Sequence, residues 1–255
     1  MDLGLQGLRA LVGGASAGLG AGCAAALAGE GARVALAARP SERLATTAGT
    51  VGGVAVGVDL SAPDGPATAV ERAVQELGGL DVLVVNGGGP PPGTFGSVDD
   101  DGWQQGVEGT LMAAVRLIRA ALPHLRASAA PSITVVLSSS VRMPLEGLVT
   151  SNVLRPGLVG LIKSLASEIA PIRINGVAPG RIATGRVAGL DERRATAAGI
   201  SADEVRRQAI ARIPLGRYGT PEEFGRVVAL LASSAMGYVT GAVVPVDGGL
   251  VLSLP

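Results

Sequence analysis

An apolar run, Leu8 to Val12, leads without a break into Gly13-Gly14-Ala15-Ser16-Ala17-Gly18-Leu19-Gly20 and then into an Ala-rich helical stretch. Gly14 permits a tight turn, Gly18 lets main chain approach a ligand closely, and Gly20 lets the helix pack tightly on the strand behind it. The pattern aims the helix's free N–H groups and positive dipole end at an anion, and the anion that suits such a strand, turn and helix is a pyrophosphate. A second run ends Ala35-Leu36-Ala37-Ala38-Arg39. An Asp or Glu there would accept from both ribose hydroxyls and repel a 2′-phosphate, whereas Arg39 can pair with that phosphate. Read otherwise, Arg39 is a solvated turn residue or one stacked on adenine. Ser16 and Ser41 offer further hydrogen bonds. Farther along, the stretch Leu137 to Arg155 carries Ser138, Ser140, Ser151 and Arg155. A serine hydroxyl is neither acid nor base near neutral pH, and arginine keeps its proton in a protein, so these groups can hold an oxygen or a carboxylate but cannot relay protons.

The elements that must position these residues alternate. Strand-length runs (Leu8 to Val12, Arg33 to Ala37, Val54 to Val58, Leu80 to Val85, Ile133 to Leu137, Arg173 to Val177, Ala242 to Val246) are separated by helical stretches, among them Leu19 to Gly29, Pro66 to Leu77, Asp99 to Leu125, Asn152 to Ala170 and Pro221 to Ser233. Short Val-rich strands separated by helices cannot pair as hairpins, so they imply right-handed crossovers and a parallel sheet covered on both faces. The fold class is α/β, a doubly wound (Rossmann) parallel sheet in one domain spanning 1–255. Pro90-Pro91-Pro92 stiffens a loop and is too short for a linker. Residues 185–213 are the least regular part and read as a surface helical insert. Pro156 fits only the first turn of a helix without losing a hydrogen bond, so a helix start near Asn152 or Val153 is expected, with Ser151 or Asn152 as cap.

Bulk properties narrow the classes of partner. With 255 residues and 47% hydrophobic content the chain buries a substantial core, and only 2% of it is aromatic, so that core is aliphatic. Acidic and basic residues balance to zero net charge, which gives no general attraction to nucleic acid or an anionic membrane. The one cysteine, Cys23, lies in an apolar helical stretch and reads as a core residue. The start of the chain resembles neither a signal peptide nor a membrane span, and a cytoplasmic protein is expected. Lys163 is expected in solvent or an interface, His124 at a cap or interface, and Tyr218 and Tyr238 as packing residues.

These motifs together resemble the short-chain dehydrogenase/reductase family. The spacing Gly-x-x-x-Gly-x-Gly at Gly14, Gly18 and Gly20 is similar to the family's glycine loop, and Leu19 stands inside it. Asp59 resembles the residue that binds the adenine amino group. Asn86-Gly87-Gly88-Gly89 resembles the family's Asn-Asn-Ala-Gly loop. Pro179, Gly180, Ile182 and Thr184 match the segment that contacts the nicotinamide, and Arg217 to Gly249 resembles the closing segment. In the family a Ser on a strand end is followed thirteen residues later by Tyr and four beyond by Lys; Ser138, Ser151 and Arg155 stand in those places. A helical Asn expected seven residues after Trp103 is Thr110.

The resemblance implies a nicotinamide coenzyme, with NADP(H) favoured over NAD(H) through Arg39, and a small-molecule carbonyl or alcohol substrate. It assigns Ser138, Ser151 and Arg155 to the reaction and Gly14, Ser16, Gly18, Leu19, Gly20, Arg39, Asp59, Asn86, Gly87, Arg155, Pro179, Gly180, Ile182 and Thr184 to the coenzyme, with no metal. It also implies a substrate lid at 185–213 and a homotetramer or homodimer, built on the apolar faces of Asp99 to Leu125 and Asn152 to Ala170 and on the tail Leu250 to Leu254. Two readings stay open. One is an oxidoreductase whose proton is supplied by water or Glu146, unless Glu146 is only an exposed loop carboxylate. The other is a nucleotide-binding protein or non-redox enzyme that has abandoned hydride transfer.

Overall fold

The structure, a computed structural model, describes residues 2–253; Leu254 of the apolar tail lies outside them. Seven parallel strands form one sheet: β1 (Arg9–Gly13), β2 (Arg33–Ala38), β3 (Val54–Gly57), β4 (Val82–Val85), β5 (Ser132–Val136), β6 (Arg173–Pro179) and β7 (Val243–Val246). Their spatial order is β3-β2-β1-β4-β5-β6-β7. The chain therefore runs outward from β1 in one direction and from β4 in the other, and a crevice opens beyond the carboxyl ends of that central pair.

Alternation along the buried strands sends side chains to both faces. Leu11, Leu83 and Ile133 point to a core with Leu117, Leu158 and Ile162. Val12 and Val84 point to the opposite core with Cys23, Leu27 and Phe224. The first face is covered by α3 (Gly65–Leu77), α5 (Ala113–Arg126) and α6 (Val149–Glu168), the second by α1 (Gly18–Gly29), α2 (Glu42–Thr50) and α9 (Pro221–Ala232). Cys23 is in the core, as expected, and burial pushes its thiol up to about 12. Helices α1 and α9 meet backbone to backbone, because a Cβ on Gly22 would overlap the Pro221 carbonyl and one on Gly225 that of Gly22. At the opposite edge of the sheet from the crevice, Arg9 at the start of β1 makes a forked pair with Asp81, its guanidinium reaching both carboxylate oxygens at 2.8 Å.

Two expectations are corrected. Helix α6 begins at Val149, not near Asn152, and carries Pro156 in its interior. Neither Ser151 nor Asn152 caps it: the Asn152 side chain instead ties down Leu145, accepting from its N–H and donating to its carbonyl, both at 2.9 Å. The face Thr150, Ser151, Leu154, Arg155, Leu158 and Ile162 is buried, and that packing carries the helix through the roughly 3 kcal/mol an interior proline costs. Tyr238 is fully exposed and packs on nothing, unlike Tyr218, which is buried. The stretch 185–213 is mostly helical, comprising α7 (Gly185–Ala198) and α8 (Ala202–Ile210). No helix among the described residues is long and apolar enough to cross a membrane.

Candidate active site

The glycine loop is built as a backbone cradle. Gly14 and Gly18 both have φ of +57°, a region that costs glycine nothing and other residues strain. A Cβ on Gly20 would overlap the Gly14 carbonyl, and one on Gly13 the Asn86 carbonyl, so only glycine closes this turn. Asn86, at the end of β4, locks it by donating from Nδ2 to the Gly13 carbonyl at 2.9 Å. Helix α1 then starts with no side chain capping it. The helices α2, α7, α8 and α9 are capped by Ser41, Thr184, Ser201 and Thr220, while α3 and α6 share with α1 the lack of a side-chain cap. The first N–H groups of α1 are left free to meet an anion, with the positive dipole end behind them.

Beside this cradle lies a cleft of about 1390 Å³ lined by Gly14, Ser16, Arg39, Ser41, Asp59, Gly87 and Arg186, among others. Five of the expected coenzyme residues thus share one surface. Asp59 accepts from the Ser61 N–H at 2.9 Å and hydroxyl at 2.7 Å, which holds its carboxyl below the usual range and leaves its second oxygen available. Thr184 joins the two halves of the site, since a Cβ on Gly18 would touch the Thr184 methyl at 3.2 Å. Gly180 is packed so closely on Asp247 that a Cβ would approach its Cβ to 2.6 Å. Ile182 is buried and bridges to Gly219. Pro179, Gly180 and Ile182 therefore fix the path of the chain that delivers Thr184, while Leu19 lies half-buried in the first turn of α1.

The dimensions and donors of this surface fit a dinucleotide. The cradle takes a diphosphate on bare amides, the cleft has room for the adenosine, and Arg39 and Arg43 both border it. Sequence reasoning missed Arg186, whose guanidinium lies against Gly89 and donates to the Pro90 carbonyl at 3.0 Å. Its place two residues beyond Thr184 was the available signal.

The other expected reaction residues lie beyond the ends of β5 and β6. Ser138, at the end of β5, accepts from the Ser140 N–H at 3.1 Å, so its own proton is free to be donated. Ser140 and Ser151 share a hydrogen bond between hydroxyls at 3.1 Å, both buried. Arg155, one turn on along α6, does not join them. Its Nη1 donates to the Val136 carbonyl, and its side chain lines a separate small cavity together with Thr110. Burial pushes Arg155 down to about 10, the like charge of Arg186 adding to the effect, so it remains a cation at neutral pH. Tyr218 is not available as a substitute acid. Its hydroxyl donates to Asp191 at 2.8 Å, and burial and that carboxylate raise its pKa above the ordinary tyrosine value. Glu146 and Lys163 are exposed. Among the described residues no cluster of His, Cys, Asp and Glu could hold a metal.

A family model described as Enoyl-(Acyl carrier protein) reductase matches residues 14–251. The chain belongs to the short-chain dehydrogenase/reductase family. It is 31% identical to the 3-oxoacyl-(acyl-carrier-protein) reductase FabG of Thermotoga maritima, over 97% of this chain and 99% of that protein. It is 34% identical to the enzyme of the same name from Pseudomonas aeruginosa, over 98% and 99%. Among solved structures it is similar to L-sorbose reductase from Gluconobacter frateurii complexed with NADPH and L-sorbose, with a TM-score of 0.93, 31% identity and full coverage of both chains. It is also similar to an actinorhodin polyketide ketoreductase with NADPH, with a TM-score of 0.91, 29% identity and coverage of 96% and 97%. These homologues are oxidoreductases of the short-chain type.

Proposed function

We propose that this chain is an NADP(H)-dependent reductase or dehydrogenase acting on a ketone or secondary alcohol, with a proton-transfer site that no longer relies on a titrating side chain. The observation that carries the reading is the uncapped start of α1 facing a cleft bordered by Arg39. The bound coenzyme would supply the hydride. Gly14, Gly18, Leu19 and Gly20 hold the diphosphate through main-chain amides, Ser16 and Arg39 hold the 2′-phosphate, and Asp59, Asn86 and Gly87 border the adenosine. Pro179, Gly180, Ile182 and Thr184 hold the nicotinamide end. Ser138 donates its free proton in a hydrogen bond to the substrate oxygen, Ser151 keeps Ser140 in place, and the buried cation of Arg155, which does not reach the serines, stabilises developing negative charge through space. The proton itself comes from water, and loss of a positioned acid lowers the rate by about 10²- to 10⁴-fold.

The relatives' names share a ketone: a 3-oxoacyl thioester, a polyketide, a ketose. The test is therefore NADPH oxidation against 3-oxoacyl thioesters, cyclic ketones and ketoses, run beside calorimetric binding of NADPH and NADH. Slow turnover on one class supports a reductase. Tight NADPH binding with no turnover on any would leave the second reading, a nucleotide-binding protein, which the replacements at Thr110, Ser151 and Arg155 favour. No heat with either coenzyme would overturn both.

A further inference from the structure

Arg155 stands apart from the arginines of the fold that find full partners; only Arg186, with one bond to the Pro90 carbonyl and no acidic group acting on it, resembles it among those whose pKa burial lowers. Arg9 is paired with Asp81 and Arg181 with Asp191. Arg173, which has no acidic partner, spreads four hydrogen bonds over the carbonyls of Leu231, Ala232, Ser233 and Met236. Arg155 has one carbonyl, that of Val136, and its buried Nε has no partner. No acidic group acts on it, and the charge that does, Arg186, has the same sign. A buried cation without a counter-charge costs several kcal/mol.

Thr110 is unusual in the same place. Several threonines on other helices turn their hydroxyls back onto the preceding turn, as Thr47 does to Arg43, Thr68 to Asp64 and Thr196 to Glu192, and the buried Thr150 donates to the Pro91 carbonyl. Thr110 sits in a π-helical turn, Val107–Met112, between α4 (Asp100–Gly106) and α5. Its buried hydroxyl makes no hydrogen bond. Such turns recur at functional sites because they redirect a side chain.

Both groups line one cavity with about 20 Å³ of room, where about 10–15 Å³ suffices for one water. Its remaining walls are largely apolar, with Leu117, Val135 and Leu158 among them. It shares Leu60, Gly87, Gly88, Gly109 and Thr110 with the large cleft and so lies directly beside it. We propose that this cavity is a binding site for a single small inorganic anion of halide size, held by Arg155 Nε and the Thr110 hydroxyl. Two buried donors without partners, one of them charged, thus belong to residues that line this largely apolar pocket. An anion accepts from both and neutralises the charge, whereas a water would accept from both and find few acceptors for its own protons. A carboxylate is too large for the space.

The test uses the full chain without coenzyme, so its result is independent of the proposed activity. Crystals soaked in potassium bromide are expected to show an anomalous peak between Arg155 Nε and Thr110 Oγ1. Thermal unfolding in potassium bromide, compared with potassium gluconate at equal ionic strength, is expected to rise by about 3–5 °C per tenfold bromide above the dissociation constant. Thr110→Val is expected to weaken bromide binding at least tenfold. If that variant does not fold, the anomalous map of the unaltered protein decides. A map with no peak, with a water alone at the site, together with equal melting in bromide and gluconate, would overturn the proposal.

Discussion

The two ends of the cleft are made of different material. The coenzyme end is main chain: glycines at positive φ, free amides of α1 and the Asn86 side chain clamping the Gly13 carbonyl. The reaction end is side chain: three serine hydroxyls, Thr110 and an inward-turned Arg155. Backbone geometry tolerates few substitutions here, because an added Cβ on Gly13 or Gly20 meets a carbonyl. A site made of side chains can be rewritten one residue at a time without disturbing the fold. Thr110 and Arg155 line one cavity there.

The sharpest way to break this comparison is to attack the backbone half. Gly20→Val places a branched side chain against the Gly14 carbonyl, and coenzyme binding is expected to fall more than about 100-fold by calorimetry, against about 3 kcal/mol of lost anion contact. A Gly20→Val protein that still bound NADPH normally would show that the amides are not the anchor. Arg39→Glu comes next. Removing a charge-assisted pair and adding repulsion is expected to weaken NADPH by about 10- to 100-fold while leaving NADH equal or better, which sharpens the assignment of the 2′-phosphate. The side-chain half should respond unevenly. Arg155→Ala is expected to abolish turnover, whereas Ser151→Ala, which removes only the partner of Ser140, should change kcat by less than about threefold. Equal losses in the two variants would mean that Ser151 itself touches the reacting atoms.

How much of this was legible in the sequence follows the same division. The Val-rich strands and the glycine loop state their structure locally, and the parallel order follows from the helices between them. Gly14, Ser16, Arg39, Asp59 and Gly87, which the glycine spacing and the family resemblance together assign to the coenzyme, line one cleft. The start of α6 was misread because Pro156 is a local signal, and the buried face around Ser151 and Leu154 that overrides it comes from distant chain. The helices of 185–213 are hard to read from sequence because few of their residues are buried, only Asp191 and Ala195 of α7 and Val205 of α8. Arg155 could be recognised as a clamp, but not that it turns inward: that direction depends on Val136 from β5 and on the π-helical turn that presents Thr110. Arg186 was passed over because its role comes from lying against Gly89, far away in sequence.

The opposite edge of the sheet provides the control for these comparisons, and the smallest effect. Asp81 precedes β4, the strand that carries Asn86 at its far end, and its carboxylate takes hydrogen bonds from Arg9 and from Ser128 at 2.6 Å. The Arg9 guanidinium first, and then Ser128, hold it at about 2 against an ordinary 3.8, despite the opposing effect of burial. A carboxyl whose folded pKa is depressed contributes stability that is complete above its unfolded value and is lost as pH falls from about 4 through about 2. The pair therefore contributes about 2 kcal/mol at neutral pH, an upper figure since Arg9 is partly in solvent. Asp81→Asn is expected to lower stability by about 1–2 kcal/mol in urea at pH 7, to lose that deficit near pH 2, and to leave NADPH affinity within about twofold. A large fall in affinity would mean that strain at the foot of β4 reaches Asn86 and the glycine cradle, and that the coenzyme end is less rigid than its backbone contacts require.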